Sequence, residues 1–99
     1  MNLPRMKNVI DGKLYDTSKA TVIASDCYWD GHNFERNGRN TYLLKTKKGN
    51  YFVVHLTLWE AEKDTLYPVG KDDAKGIYER LPEQEVEYEV AFDEEPEEA

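Results

Sequence analysis

The stretch from Thr41 to Leu58, TYLLKTKKGNYFVVHLTL, decides the fold. Two runs rich in β-branched and aromatic residues flank the polar turn Lys47-Lys48-Gly49-Asn50, which is the pattern of a β-hairpin. A type I turn at Lys47 and Lys48, with Gly49 in the left-handed position of a G1 bulge, sets the register, because glycine enters that conformation without steric cost. Thr46 then faces Asn50, Leu44 faces Phe52 and Tyr42 faces Val54. One face carries Tyr42, Leu44, Phe52, Val54, Leu56 and Leu58; it is apolar throughout and must be covered. The other carries Thr41, Leu43, Lys45, Tyr51, Val53, His55 and Thr57, a mixed set that could meet water or a partner. A slip of one residue would exchange the faces, so burial pins the register.

On the N-terminal side, Met1 to Arg5 has no pattern and reads as a frayed end. Met6 to Ile10, Asp11-Gly12 and Lys13 to Tyr15 form a second, smaller hairpin, since Asp-Gly suits a type I′ turn whose central residues both need positive φ. Asp16 to Lys19 reads as a turn with side-chain bonds to nearby amides. Ala20 to Tyr28 is a further strand with poor alternation, because Val22 and Ile23 are adjacent. Trp29 to Asn40 is a polar loop of a length often functional or mobile.

On the C-terminal side, Lys71 to Leu81 predicts a short helix. Ala74, Ile77, Tyr78 and Leu81 share one face, Asp72 and Asp73 suit the positive N-terminal end, and Pro82 stops it. Gly76 weakens it by roughly 1 kcal/mol relative to alanine. Its apolar face is the expected cover for the hairpin's apolar side. In Glu83 to Phe92, Val86, Tyr88, Val90 and Phe92 fall at every second position with Glu87, Glu89 and Ala91 between them, which favours a strand or extended arm, whereas glutamate and alanine favour helix. The expected fold is therefore α+β: a small antiparallel sheet of about four strands packed by the helix over 71–81. Residues 1–92 form one domain, and 93–99 an acidic, disordered tail.

The chain has 99 residues and is 39% hydrophobic, enough for a single core without staples. Its one cysteine forms no internal disulfide, the first residues do not resemble a signal peptide, and no run is long enough to span a bilayer, so a cytoplasmic protein is expected. The net charge of −7 is unevenly placed: nine of the 20 acidic residues follow Pro82 and no base does, leaving eleven acids against 13 bases, or +2, in the body.

No enzyme signature emerges, and neither a cofactor nor a metal is expected. Cys27 and His32, with Asp26 and Asp30 beside them and His55 further on, fall short of the paired ligand spacings of a structural zinc site. Cys27 lacks the cation or helix terminus that would tune a thiolate. Gly70-Lys71 is not a phosphate loop. Lys45, Lys47, Lys48 and Tyr51, with Arg36 and Arg39 in the preceding loop, make a basic, aromatic hairpin tip able to contact nucleic acid; edge lysines that discourage aggregation are the bland alternative. The acidic segment admits three readings: it aids solubility, it folds back on the basic tip, or it presents spaced carboxylates to a basic groove that normally holds nucleic acid. The apolar row between the acids favours a defined surface, whose contact residues are expected to be Glu85, Glu87, Tyr88, Glu89, Asp93, Glu94 and Glu95.

Two stretches, Ile10-Asp11-Gly12-Lys13-Leu14-Tyr15-Asp16-Thr17 with Ala20, and Tyr42 to Phe52, resemble small proteins of Gram-positive phages, plasmids and integrated elements. So does the order of a short helix, Asp72 to Leu81, followed by an acidic C-terminal segment. Some members of that group look like anti-CRISPR proteins, and in others the segment matching Glu83 to Phe92 is open to a helical reading. The resemblance implies a non-enzymatic inhibitor that binds a CRISPR effector nuclease or its guide-RNA complex in a bacterial host cell. The alternative is a nucleic-acid-binding accessory protein that uses the basic tip.

Overall fold

A computed structural model describes residues 3–26, 39–57 and 61–99, apart from the side chain of Arg39. Cys27, Trp29, Asp30, His32, Phe34, Arg36 and Leu58, together with the expected thiol, metal and loop roles of the first six, lie outside the described residues. The fold is α+β. Strands β1 (Lys7–Ile10) and β2 (Lys13–Asp16) form a two-stranded sheet. Strands β3 (Thr21–Ser25), β4 (Arg39–Lys45), β5 (Tyr51–Thr57) and β6 (Thr65–Val69) form an antiparallel meander. Helix α1 (Lys71–Arg80) then carries the chain across one face of that sheet to β7 (Glu83–Gln84), which joins the far side of β3. The five-stranded order is β6-β5-β4-β3-β7, and a short helix α2 (Tyr88–Phe92) follows.

The central hairpin has the register read from its sequence. Leu44 pairs with Phe52 and Tyr42 with Val54, while the Thr46 amide donates to the Asn50 carbonyl over 2.8 Å. Gly49 has φ +87°, the left-handed value that the bulge demands. The first hairpin likewise turns through Asp11 and Gly12, both at positive φ.

What covers each face differs from expectation. Helix α1 lies on the mixed face: Leu43, Tyr51 and Val53 are packed with Ala74, Tyr78 and Leu81. The apolar face is covered by the β1–β2 hairpin, which brings Tyr15, Met6 and Ile10 onto Tyr42, Leu44, Phe52 and Val54. Tyr15 meets the Phe52 ring edge-on with centroids 5.5 Å apart. The sheet is therefore buried on both sides. The mixed face holds three large apolar groups, Leu43, Tyr51 and Val53, and these receive α1, while the fully apolar face receives the small hairpin.

A β-bulge accounts for the adjacent Val22 and Ile23. Val22 pairs with Leu44 and Ala24 with Leu43, so Ile23 is the extra residue. Val22 packs on the β1–β2 side, whereas Ile23 and Ala24 both face α1. Thr65–Val69 adds a strand that the sequence pattern does not announce, and its Pro68 pairs opposite Phe52 in the outermost strand of the sheet.

The expectation of a strand or extended arm over Glu83 to Phe92 is corrected. Only Glu83 and Gln84 pair with β3, and Tyr88 to Phe92 is helical. Tyr88, Ala91 and Phe92 are spaced i, i+3, i+4 and turn together onto the α1 side of the core, while Val90, which alternation would have buried, is 62% exposed.

The β1–β2 hairpin is clamped at its base. The Met6 amide donates to Thr17 Oγ1 over 2.8 Å, and that hydroxyl donates to the Pro4 carbonyl over 3.0 Å. Buried Asp16 accepts from Arg5 and from the Ser18 amide and hydroxyl. The Arg5 and then the Ser18 hydrogen bonds hold its carboxyl far below the ordinary carboxylate range.

Two outcomes are expected. In Gly76→Ala the new methyl meets nothing within 4 Å, so denaturant melts should show a gain of about 0.5–1 kcal/mol from helix propensity and a stiffer unfolded chain. Asp16 has a depressed folded pKa, so its stabilisation is fully present above the unfolded carboxylate pKa of about 3.9 and is lost as pH falls through the lower folded value. Melting temperatures of the wild type and Asp16→Asn should differ most near neutrality and converge in strong acid; a constant gap down to the lowest pH would contradict this.

Candidate partner-binding surface

Val86, Tyr88, Ala91 and Phe92 tie the start of the acidic segment into the core. Phe92 is fully buried in a box of three tyrosines, with ring centroids 5.3 Å from Tyr51, 5.5 Å from Tyr78 and 4.9 Å from Tyr88. Two hydroxyls lock the backbone around it. Tyr51 donates to the Ala91 carbonyl and Tyr78 to the Val86 carbonyl, each over 2.7 Å. The chain leaves α2 through Asp93 in the left-handed conformation (φ +55°), which aspartate tolerates better than most residues.

This anchoring sorts the seven expected contact residues. Glu85, Glu87 and Glu89 are exposed and make no ion pair among the described residues. Burial, and then the negative charges of Glu89 and Glu87, push the Tyr78 hydroxyl above its ordinary pKa. Tyr88 is half-buried and packs edge-on to Tyr78 as well as on Phe92, so only part of its ring is available. Asp93 and Glu94 are used internally. Lys45 donates to Asp93 over 3.0 Å, and Glu94 lies between Lys71, at 3.7 Å, and Lys75. The acidic segment thus folds back on the body, touching the base of the hairpin tip and one side of α1. Such exposed pairs are each worth about 0–1 kcal/mol, so they guide the chain more than they hold it.

Glu95 joins a second acidic feature. Between α1 and the chain end runs a groove of about 620 Å³ lined by Lys75, Glu79, Tyr88, Glu94, Glu95 and Glu97. Glu79 was missed by sequence reasoning. Its signal is positional: it lies four residues after Lys75 and one after buried Tyr78, on the flank of α1 that faces the acidic end.

The residues read as a basic aromatic tip are split. Lys47 and Lys48 are exposed. Tyr51 is 5% exposed with its hydroxyl committed, so its ring offers no stacking platform. Lys45 lies over that ring, 5.8 Å from its centroid, and is ion-paired to Asp93.

Elsewhere on the α1 side, Thr41 Oγ1, His55 and Tyr67 form a hydrogen-bonded chain with both links 3.0 Å long. Both imidazole nitrogens are thereby engaged, and Asp26 accepts from the Thr41 amide over 2.7 Å. Among the described residues no group of three or more His, Cys, Asp or Glu is arranged to hold a metal ion, and no helix is long and apolar enough to cross a membrane. No protein-family model matches the chain, and no curated protein or solved structure matches it either.

The Tyr51 hydroxyl bond predicts the strength of this anchor. Tyr51→Phe should cost about 1–2 kcal/mol, because the buried Ala91 carbonyl loses its partner. Amide hydrogen exchange should show the loss concentrated in 88–94. Uniform protection across the chain in the variant would mean that the hydroxyl does not hold α2.

Proposed function

We propose that this chain is a non-enzymatic inhibitor encoded by a mobile element, which acts in a bacterial host cell by binding a CRISPR effector nuclease or its guide-RNA complex. The contact is made by the acidic C-terminal surface, which takes the place of nucleic-acid phosphates on a basic groove. One observation carries this reading: Glu85, Glu87 and Glu89 are unpaired carboxylates among the described residues, mounted on a segment fixed by the buried Phe92. A solubilising tail needs charge but no such mount. Preorganised charges lose little entropy on docking, and complementary potential speeds encounter and selects the partner. Exposed Val90 and the free part of Tyr88 add apolar area between the acids.

The competing accessory-protein reading asked Lys45, Lys47, Lys48 and Tyr51 to act together on nucleic acid. With Tyr51 buried and Lys45 paired to Asp93, two of the four are occupied.

Co-purification and target-cleavage assays across a panel of effector complexes test the proposal; neither binding nor inhibition anywhere in the panel would end it. Against a responsive effector, Glu85→Gln, Glu87→Gln and Glu89→Gln combined should weaken inhibition by about tenfold or more and flatten its dependence on salt. Thermal stability should change little, because all three side chains are exposed. Undiminished inhibition by this variant would place the contact elsewhere.

A further inference from the structure

The face opposite the acidic surface holds a feature of the other sign. Where the β1–β2 hairpin stacks against the tip of the central hairpin, a half-open groove of about 390 Å³ is lined by Lys13, Lys19, Lys47 and Lys48, with Asp16 and Asn50 among the remaining walls. The lysines come from three separate turns. Lys13 follows the Asp11-Gly12 turn, Lys19 ends the 3-10 turn Thr17–Lys19, and Lys47 and Lys48 form the hairpin tip. All four are exposed, and none is ion-paired among the described residues.

Asp16, the groove's acidic wall, does not neutralise them. One of its oxygens takes Arg5 at 3.1 Å, and the other takes the Ser18 amide and hydroxyl. The Asn50 side-chain amide also makes no hydrogen bond among the described residues and adds a neutral donor at the rim. Four like charges gathered around one cavity repel one another until an anion enters. Among the described residues no aromatic side chain lines the groove, so they offer nothing for a base to stack on.

We propose that this groove binds adjacent phosphates, as presented by a single nucleic-acid strand or by a nucleoside triphosphate, through Lys13, Lys19, Lys47 and Lys48 and without reading the base. The site does not depend on the acidic-surface reading. It regroups Lys47 and Lys48 with two lysines about 30 residues earlier in the chain, leaving out Lys45 and Tyr51.

The test is fluorescence anisotropy at about 20 mM salt with labelled oligo-dT and oligo-dA of about 12 nucleotides, with ATP and inorganic tripolyphosphate as competitors. Both oligonucleotides should bind equally, since no stacking is involved. If four lysines each neutralise one phosphate, log K should fall against log salt with a slope of about −3, and by about 0.7 less for each lysine removed. Lys13→Ala with Lys19→Ala, and separately Lys47→Ala with Lys48→Ala, should each weaken binding at least tenfold. Lys7→Ala with Lys63→Ala, and Lys45→Ala, should not. The Glu85, Glu87 and Glu89 glutamine variant should bind as well as the wild type or better, which separates this groove from the acidic surface. Competition by tripolyphosphate and ATP at similar concentrations would identify free polyphosphates as sufficient, and failure of both to compete would identify the strand as the ligand. Absence of binding to every probe overturns the proposal, as does equal weakening by the Lys7 and Lys63 control, which would reveal diffuse attraction.

Discussion

The structure depends on burying both faces of one hairpin. Tyr42, Leu44, Phe52 and Val54 go to one side and Leu43, Tyr51 and Val53 to the other, and all seven are nearly inaccessible to water. A sheet of this kind cannot stand with one face in solvent, so each face needs a separate cover. At roughly 25 cal/mol per Å² of apolar surface removed from water, both covers contribute materially in a chain this short. The N-terminal hairpin supplies one cover, and α1 with α2 supplies the other. The two charged features of the molecule are edges of these covers. The lysine groove is where the first cover meets the hairpin tip, and the acidic surface is the outer side of the second.

Local rules made part of this legible. Gly49 and the Asp11-Gly12 pair fix two turns by backbone conformation alone, and once a turn is fixed the register of its strands follows. The apolar spacing of Ala74, Ile77, Tyr78 and Leu81 likewise located α1. Pairing between distant segments was not legible. Which cover takes which face depends on complementarity in three dimensions, and a mixed face containing Leu43, Tyr51 and Val53 passes for a solvent face when Thr41, Lys45, His55 and Thr57 lie between them.

Segment 83–92 shows how a short pattern satisfies two periods. Val86, Tyr88, Val90 and Phe92 fit a period of two, while Tyr88, Ala91 and Phe92 fit a helical turn. Ala91 decides it: in the helix its small side chain is buried beside Phe92, and its carbonyl meets the Tyr51 hydroxyl. The charge census was legible as a whole, and the asymmetry across Pro82 was visible without coordinates. The sorting within it was not. Asp93 and Glu94 differ from Glu85, Glu87 and Glu89 only in lying beside lysines of other elements.

The two outer strands of the main sheet carry a consequence for how this molecule meets others. On one flank β6 contains Pro68, which has no amide hydrogen to offer. On the other, β7 is two residues long, and the next amides, of Glu85 and Val86, both turn back to the Ile23 carbonyl. Among the described residues, neither flank of this sheet presents a long ladder of open backbone groups onto which a foreign strand could add. A main sheet finished in this way resists runaway strand addition between copies. Recognition along these two flanks then rests on side chains, so that single substitutions there, rather than backbone pairing, set what they bind.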